Sequence, residues 1–198
     1  MSGWGPATLL LMVLAAAPVS AQRPYRAGLW IEAGGGGGKI HIDCSNCAES
    51  TVIYGSAGYL RGGATFSDRI AWGLELFSLL EDEFGANDQI ILRQVTVSPV
   101  VLWYPWQGGV FVKGGVGISR MSVDAPATED APAIVGKATG SSLTFGLGLD
   151  LPIHRGIAVT TNFGVYYSAN GDLVLPTVGT VDDMITTVYQ INFAVTVR

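Results

Sequence analysis

The residues whose types could support chemistry lie mainly in one segment near position 45. Cys44 and Cys47 form a C-x-x-C pair, which can act as a redox site, contribute to a zinc site or close a small disulfide. A zinc site would need two further ligands, and only His41 is near. A haem-attachment motif would need histidine at position 48, which is Ala48. We therefore predict a disulfide that pins the tip of a loop, with no metal or other cofactor.

Acid–base catalysis would have to use one of two histidines, His41 and His154. His41 with Asp43 or Ser45 has the residue types of an acyl-transfer site. His154 falls in a turn that we place at the opposite end of the fold, so the two histidines cannot share a site. We therefore expect that the protein is not an enzyme and interpret the polar residues around His41 as loop residues.

The N-terminus indicates export. Residues 1–21 contain an apolar run, Ala7 to Val19, that is too short to span a bilayer and is followed by small residues ending at Ala21. This is the pattern of a secretory signal peptide, and a disulfide is permitted in an exported chain. Residues 22–198 then form one domain, and the net charge of -5 argues against nucleic-acid binding.

A strict alternation of apolar and polar residues sets the architecture. In the segment Val188 to Val197, alternate positions are apolar and the positions between them are polar or small, which is the period of a β-strand. A terminal strand leaves an open edge unless it pairs with the first strand, so this segment predicts a closed barrel.

The same alternation predicts seven further strands, near residues 28–35, 52–62, 70–79, 93–103, 110–120, 142–151 and 157–167. We expect the glycine run Gly34 to Gly38 to leave the first strand, and Pro99 to mark an edge or a bulge. The connections alternate between long and short, the long ones including Val123 to Gly140 and Asn170 to Ile185, as in outer-membrane barrels. The fold class is therefore all-β, an eight-stranded antiparallel up-and-down transmembrane β-barrel.

The aromatic residues indicate which face is outside. A soluble lipocalin-like barrel has the same alternation with its apolar face turned inward. On the apolar face, aromatic rings fall near both ends of the strands, as two membrane-interface belts would. We predict that these belts contain Trp72 and Trp103 at the short-turn end, and Tyr54, Tyr167 and Tyr189 at the long-loop end.

The polar face carries a few charges at mid-strand. They are predicted to lie in the barrel interior, where ions must pair to tolerate burial: Glu32, Arg61, Glu75, Lys113 and Asp150. A turn centred near Asp68 would place Arg61 directly opposite Glu75. We predict a packed, ion-paired core, because eight strands enclose an interior that side chains nearly fill.

Three segments carry a family resemblance: Trp103 to Arg120 (WYPWQGGVFVKGGVGISR), Ser142 to Asp150 (SLTFGLGLD) and the terminal strand. Together with the exported N-terminus they resemble the small bacterial outer-membrane β-barrel domain family, the OmpA-transmembrane-domain and OmpX-like group. The resemblance implies an outer-membrane location, a monomer, and outer-membrane lipids, lipopolysaccharide and the barrel-assembly machinery as partners.

The resemblance leaves the function open. It favours a structural or surface-interaction role through long extracellular loops, with an extracellular ligand that the sequence does not identify. The alternatives are a narrow, porin-like channel for small solutes and a lipid A-modifying barrel enzyme.

Overall fold

The computed structural model describes residues 28–47, 50–84, 90–106, 108–125, 134–175 and 179–198. They form eight strands: β1 (Gly28–Asp43), β2 (Thr51–Ser67), β3 (Ile70–Phe84), β4 (Ile90–Trp103), β5 (Val110–Ala125), β6 (Ile134–His154), β7 (Ile157–Leu175) and β8 (Gly179–Val197). Each strand pairs antiparallel with its neighbours in sequence, and β8 pairs with β1, so the sheet closes into a barrel. The predicted fold class is confirmed.

Two expectations are not addressed by the part of the chain that the structure describes. The predicted signal peptide, residues 1–21, lies outside it, as does the start of the predicted domain at residue 22. Within the described ranges, no helix is long and apolar enough to cross a membrane.

The strands are staggered around the barrel. The stagger can be measured by starting at Ala33 on β1 and stepping from each residue to its partner on the next strand. After one turn around the barrel this path returns to β1 at Asp43, ten residues further along the strand. The path runs through Leu60, Leu76, Val97, Ile118, Ser141, Ala169 and Ile185. Strands in such a barrel are tilted by roughly 40° to its axis, and side chains fill the interior.

The apolar face of each strand points outward. On β8, Ile191 and Phe193 are 55% and 64% exposed, whereas Asn192 between them is fully buried. The same alternation holds on β3, where Trp72 and Leu74 are exposed and Glu75 is buried. A lipocalin-like barrel would have the reverse arrangement, so the soluble alternative is wrong.

Several segments predicted as long loops are strands instead. The segments 123–125 and 134–140 belong to β5 and β6, while the segments 170–175 and 179–185 extend β7 and β8. His41 and Asp43, predicted in a loop, lie in β1. The prediction ended each strand where the apolar alternation ended, but the backbone ladder continues in polar sequence because hydrogen bonds between strands do not depend on the side chains. We call the end of the barrel with these extensions the long-hairpin end.

The glycine run Gly34 to Gly38 also stays in β1, contrary to prediction, and pairs with β2 on one side and β8 on the other. Limited space on the inner side of the wall explains the inward-facing glycines of the run. A Cβ on Gly34 would lie 2.7 Å from the Cβ of Ala194 and 2.9 Å from the ring of Tyr59. The missing side chains therefore let the aromatic side chain of Tyr59 occupy the interior beside β1.

Pro99 lies within β4 rather than at an edge or a bulge. It pairs with Leu74 of β3 without a shift of register. On the β5 side the ladder is interrupted between Val97 and Val100, and the register is the same on both sides of the gap. The missing N–H of proline thus costs ladder hydrogen bonds at one point without altering the strand.

Candidate functional site

Glu75 is the centre of a buried ion cluster in the barrel. Its carboxylate accepts two hydrogen bonds from Lys113 Nζ, at 2.8 Å to Oε1 and 2.7 Å to Oε2. Tyr166 Oη donates another to Oε1 at 2.9 Å, and Arg61 Nη1 forms an ion pair with Oε2 at 3.5 Å. Arg61 pairs directly with Glu75 across the β2–β3 hairpin, as the position of the turn predicts. All four side chains are buried, so their charges interact through a medium of low dielectric constant.

Glu32 binds the other side of Arg61. Arg61 Nη2 donates a hydrogen bond to Glu32 Oε1 at 2.6 Å, and Tyr59 Oη donates to the same oxygen. Thr196 Oγ1 donates to Glu32 Oε2 at 2.9 Å. The guanidinium also lies 5.0 to 5.8 Å from three aromatic rings, those of Trp30, Tyr59 and Phe111. Arg61 is therefore fixed by charge, hydrogen bonds and ring faces together.

Asp150 extends the network to the short-turn end. Arg198 Nη2 lies 2.5 Å from Asp150 Oδ2, and Tyr104 Oη donates to the same oxygen at 3.0 Å. Thr160 Oγ1 donates to Asp150 Oδ1 at 2.8 Å and lies 2.8 Å from Thr196 Oγ1, which places this group beside Glu32. Burial by itself lowers the pKa of Arg198, but Asp150 and Tyr104 outweigh it and hold that pKa above its ordinary value.

The network balances its charges. Within the described part of the chain it contains three carboxylates and three cations, which are Glu32, Glu75, Asp150, Arg61, Lys113 and Arg198. Each carboxylate faces at least one cation and accepts additional hydrogen bonds from hydroxyl groups. Such pairing offsets the cost of desolvating the ions and cross-links strands that are distant in sequence.

An apolar cluster lies in the interior between this network and the long-hairpin end. All eight strands contribute buried side chains to it, and we call it the apolar ring. Within it the rings of Phe77 and Tyr166 stack, with centroids 3.9 Å apart and an angle of 12° between the planes. One buried residue of the ring from each strand, in chain order, is Ile40, Ile53, Leu79, Leu92, Met121, Ala138, Tyr166 and Val188. Buried apolar side chains from every strand thus meet in the interior at this level.

Cys44 and Cys47 form a disulfide just beyond β1, with Cα atoms 5.3 Å apart. The residues between them bind the β7–β8 hairpin. Ser45 donates through both its backbone N–H and its hydroxyl to the Asp182 carbonyl oxygen at 3.2 Å, and Asn46 Nδ2 donates to the Thr180 carbonyl oxygen at 3.1 Å. The small loop therefore joins the first strand to the last hairpin at the rim.

Removal of this disulfide should loosen the loop and leave the barrel unchanged. For Cys44→Ser/Cys47→Ser we expect hydrogen exchange of the Ser45 backbone N–H to become at least about tenfold faster, because the loop loses its constraint while the ladder below stays intact. Mass spectrometry or NMR would measure the exchange. The backbone N–H of Tyr104, which donates to Arg69 at the other end, is the internal control. Equal acceleration at both amides would contradict this prediction.

The two histidines lie far apart. His41 is on the outer wall of β1, with Nε2 3.4 Å from Asp43 Oδ2, and His154 is the last residue of β6 at the short-turn end. The Ser45 hydroxyl donates to Asp182 rather than to His41. The structure thus brings His41 and Asp43 together but leaves Ser45 engaged elsewhere.

The structure places all five aromatic residues chosen for the belts on the outer wall. Lys39 pairs directly with Tyr54 on one side and Tyr189 on the other, so these two rings flank Lys39 on the outer wall. Ile70 pairs with Trp103 beside the turn at the opposite end. The exposed fractions are 69% for Tyr54, 56% for Trp72, 52% for Trp103, 42% for Tyr167 and 38% for Tyr189.

The model of one protein family matches nearly the whole chain. The family is described as outer membrane protein beta-barrel domain, and its model matches residues 7–197. The chain belongs to this family. The suspected resemblance to small outer-membrane barrels is thereby confirmed, and so is the outer-membrane location.

Solved structures of low sequence identity share the fold. Ail of Yersinia pestis, solved in complex with the heparin analogue sucrose octasulfate, has a TM-score of 0.57 and 10% identity over 85% of this chain and 99% of its own. Neisserial surface protein A has a TM-score of 0.55 and 12% identity, over 86% and 97%. A major outer membrane protein of Thermus thermophilus has a TM-score of 0.57 and 14% identity, over 86% and 98%. No curated protein sequence matches the chain.

Family membership explains the exposed apolar wall. The protein is an integral outer-membrane β-barrel, so residues such as Phe193 and Leu74 occupy the surface that lies within the membrane. The interior network and the long-hairpin end are the parts that remain to be assigned a role.

The sequence interpretation missed several members of the interior network. Arg198 and Tyr104 were not placed on the inward face, and no role in the network was predicted for Tyr59, Thr160 and Tyr166, which fall on that face. The alternation could have found them, since each falls on the inward parity of its strand or directly continues it. Tyr104 was interpreted as part of a turn and Arg198 as the end of the chain, although both continue the inward series by one position.

Proposed function

We propose that this outer-membrane barrel does not conduct solutes, and that its role is structural or is exerted at the cell surface by its long-hairpin end. The observation that supports this is the apolar ring. All eight strands contribute to it, and Phe77, Leu79, Tyr166 and Val188 in it have no exposed surface.

The interior charges favour the same conclusion. A narrow channel would use charged side chains that face water along a continuous path. Here Arg61 and Lys113 form ion pairs with carboxylates and contact aromatic rings, and their side chains have no exposed surface. Eight strands enclose an interior that side chains nearly fill.

The long-hairpin end supplies the surface for interaction. Leu143 on β6 pairs with Tyr167, and β6 extends beyond this level to Ile134. Nine residues at the tilt of these strands project roughly 20 Å past the tyrosine level. The disulfide loop binds the β7–β8 hairpin at the same end, which gives a partner a partly rigid surface.

Planar-bilayer recordings of the full-length protein test this proposal. We expect no unitary current steps from wild-type protein whose folded state is verified by a heat-dependent shift on a detergent gel. The variant Phe77→Ser/Leu79→Ser, which introduces hydroxyl groups into the apolar ring, should produce current steps. Steps in the wild type that change ion selectivity on Glu75→Gln would establish the channel alternative instead.

A further inference from the structure

Strand β8 has an open edge at the long-hairpin end. Its pairing with β1 ends at Asp43 and Ile185, whereas β8 itself extends beyond this pair to Gly179. On its other side this part of β8 pairs with β7 as far as Leu175. Within the described ranges, β1 thus leaves the N–H and C=O groups along one side of upper β8 without a strand to bind them. Such an edge needs another cover.

The disulfide loop, Cys44–Cys47, covers this edge. The backbone N–H of Ser45 donates to the carbonyl oxygen of Asp182 at 3.2 Å, and the backbone N–H of Asp182 donates to Asn46 Oδ1 at 3.3 Å. Asn46 Nδ2 also donates to the carbonyl oxygen of Thr180 at 3.1 Å. A backbone amide and a side-chain amide of the loop therefore bind the groups that a neighbouring strand would bind.

The covered part of β8 is irregular. Between two successive pairs of the β7–β8 ladder, β8 has two residues, Asp182 and Asp183, where β7 has only Asp172, which is a β-bulge. Asp183 has a φ of 50°, in the left-handed region that residues other than glycine rarely adopt. Its backbone N–H donates to Asp172 Oδ1 at 3.1 Å. The loop therefore binds β8 at a point where its ladder with β7 is interrupted.

The disulfide that closes the loop is accessible. Cys47 is exposed and Cys44 is half-buried, so a thiol in solution can reach the bond. These are the only two cysteines of the chain, so no other thiol of the protein can exchange with them. A bridge across two residues constrains little more than the loop itself, and its loss leaves the closed ladder of the barrel in place.

We propose that the Cys44–Cys47 disulfide is a redox-controlled latch for the upper part of the β7–β8 hairpin. In the oxidised protein the loop binds the edge at Asp182 and holds the bulge in place. In the reduced protein the loop leaves this edge, and the hairpin beyond Ile185 becomes mobile. Redox state thereby sets the rigidity of the long-hairpin end. This inference goes beyond the proposed function and does not depend on whether the barrel conducts.

The chemical step is thiol–disulfide exchange with a dithiol. A thiolate of the dithiol attacks the exposed Cys47 Sγ, the S–S bond breaks, and Cys44 Sγ leaves as a thiolate that takes up a proton. The second thiol of the dithiol loses its proton and attacks its partner sulfur in the mixed disulfide, which releases Cys47 as a thiolate that is protonated in turn. The dithiol loses two electrons and becomes a disulfide, while the two cysteines are reduced to thiols. An oxidising disulfide reverses the reaction.

Hydrogen exchange of the Asp182 backbone N–H tests the latch. NMR of the full-length folded protein in detergent would measure it, with dithiothreitol as the dithiol. We expect the exchange to become at least about tenfold faster on reduction and to return to its first rate on reoxidation. Alkylation of both thiols, detected by mass spectrometry, verifies the reduction, and the gel shift on heating verifies that the barrel is folded. The backbone N–H of Tyr104 at the short-turn end should keep its rate.

Three variants separate the latch from a general effect of the reductant. Cys44→Ser/Cys47→Ser should show fast exchange at Asp182 both with and without dithiothreitol. Asn46→Ala keeps the disulfide but removes the acceptor of the Asp182 N–H, so exchange should already be fast in the oxidised protein. Ser50→Ala changes an exposed side chain just after the loop and should behave like wild type.

Three results would overturn the proposal. Unchanged exchange at Asp182 in fully reduced protein would show that the loop holds the edge without its disulfide. Equal acceleration at Tyr104 would show that reduction loosens the whole barrel rather than one hairpin. A disulfide that resists dithiothreitol until the barrel is unfolded by heat would show that the latch is not under redox control.

Discussion

Substitution of Glu75 by leucine should lower the free energy of unfolding by about 3 to 5 kcal/mol. The carboxylate accepts hydrogen bonds from Lys113 and Tyr166 and forms an ion pair with Arg61, all inside the barrel. Leucine fills similar space but leaves the Lys113 ammonium without its only carboxylate partner among the described residues. Urea-induced unfolding in lipid vesicles, followed by tryptophan fluorescence, would measure the loss.

Two further variants test the cause. Asp68→Asn removes a carboxylate in the exposed β2–β3 turn and should change stability by no more than about 0.5 kcal/mol. Adding Lys113→Met to Glu75→Leu removes the stranded charge and should recover part of the loss. A loss below about 1 kcal/mol for Glu75→Leu would mean that water reaches the network, which would also weaken the proposal of a closed interior.

Truncation of Phe77 to alanine should cost about 3 to 5 kcal/mol of unfolding free energy as well. The Phe77 ring has no exposed surface and stacks at 3.9 Å on Tyr166, so its removal leaves a cavity in the apolar ring. Neighbouring side chains cannot fill this cavity easily, because the strands that carry them are fixed by the closed ladder.

Phe193→Ala is the matched control for this prediction. It makes the same chemical change on the outer wall, where Phe193 is 64% exposed and lipid tails can replace the lost contacts. The same urea titration should give a clearly smaller loss for Phe193→Ala than for Phe77→Ala. Equal losses would show that the interior adapts to truncation as readily as the membrane does.

These two predictions concern different parts of one design. Glu75 forms hydrogen bonds and ion pairs with specific partners, and its loss leaves the Lys113 ammonium unpaired. Phe77 contributes by close packing, and its loss leaves a cavity. Tyr166 belongs to both, because its hydroxyl donates to Glu75 while its ring packs on Phe77. The polar network and the apolar ring therefore meet at this side chain.

Much of the fold could be predicted from the sequence, because the face of the sheet to which a strand residue points depends only on its position along the strand. Successive residues of a strand point to opposite sides, so the alternation on β8 places Ile191 and Asn192 on opposite faces before any pairing is known, and the aromatic belts indicate that the apolar face is outside. The pairing of Arg61 with Glu75 was also accessible, since a short turn near Asp68 determines the register of that hairpin. Strand ends were not accessible, because polar segments beyond the membrane have no apolar alternation to mark them.

The sequence by itself determined the class of fold, the outward apolar face and the residues available to the interior. Only the tertiary structure decided how those residues combine: Glu32 with Thr196 across the β1–β8 closure, and Asp150 with Arg198 beside it. The physical reason is the stagger of the closed barrel. It sets which residues of distant strands share a height, and no local pattern in the chain encodes it.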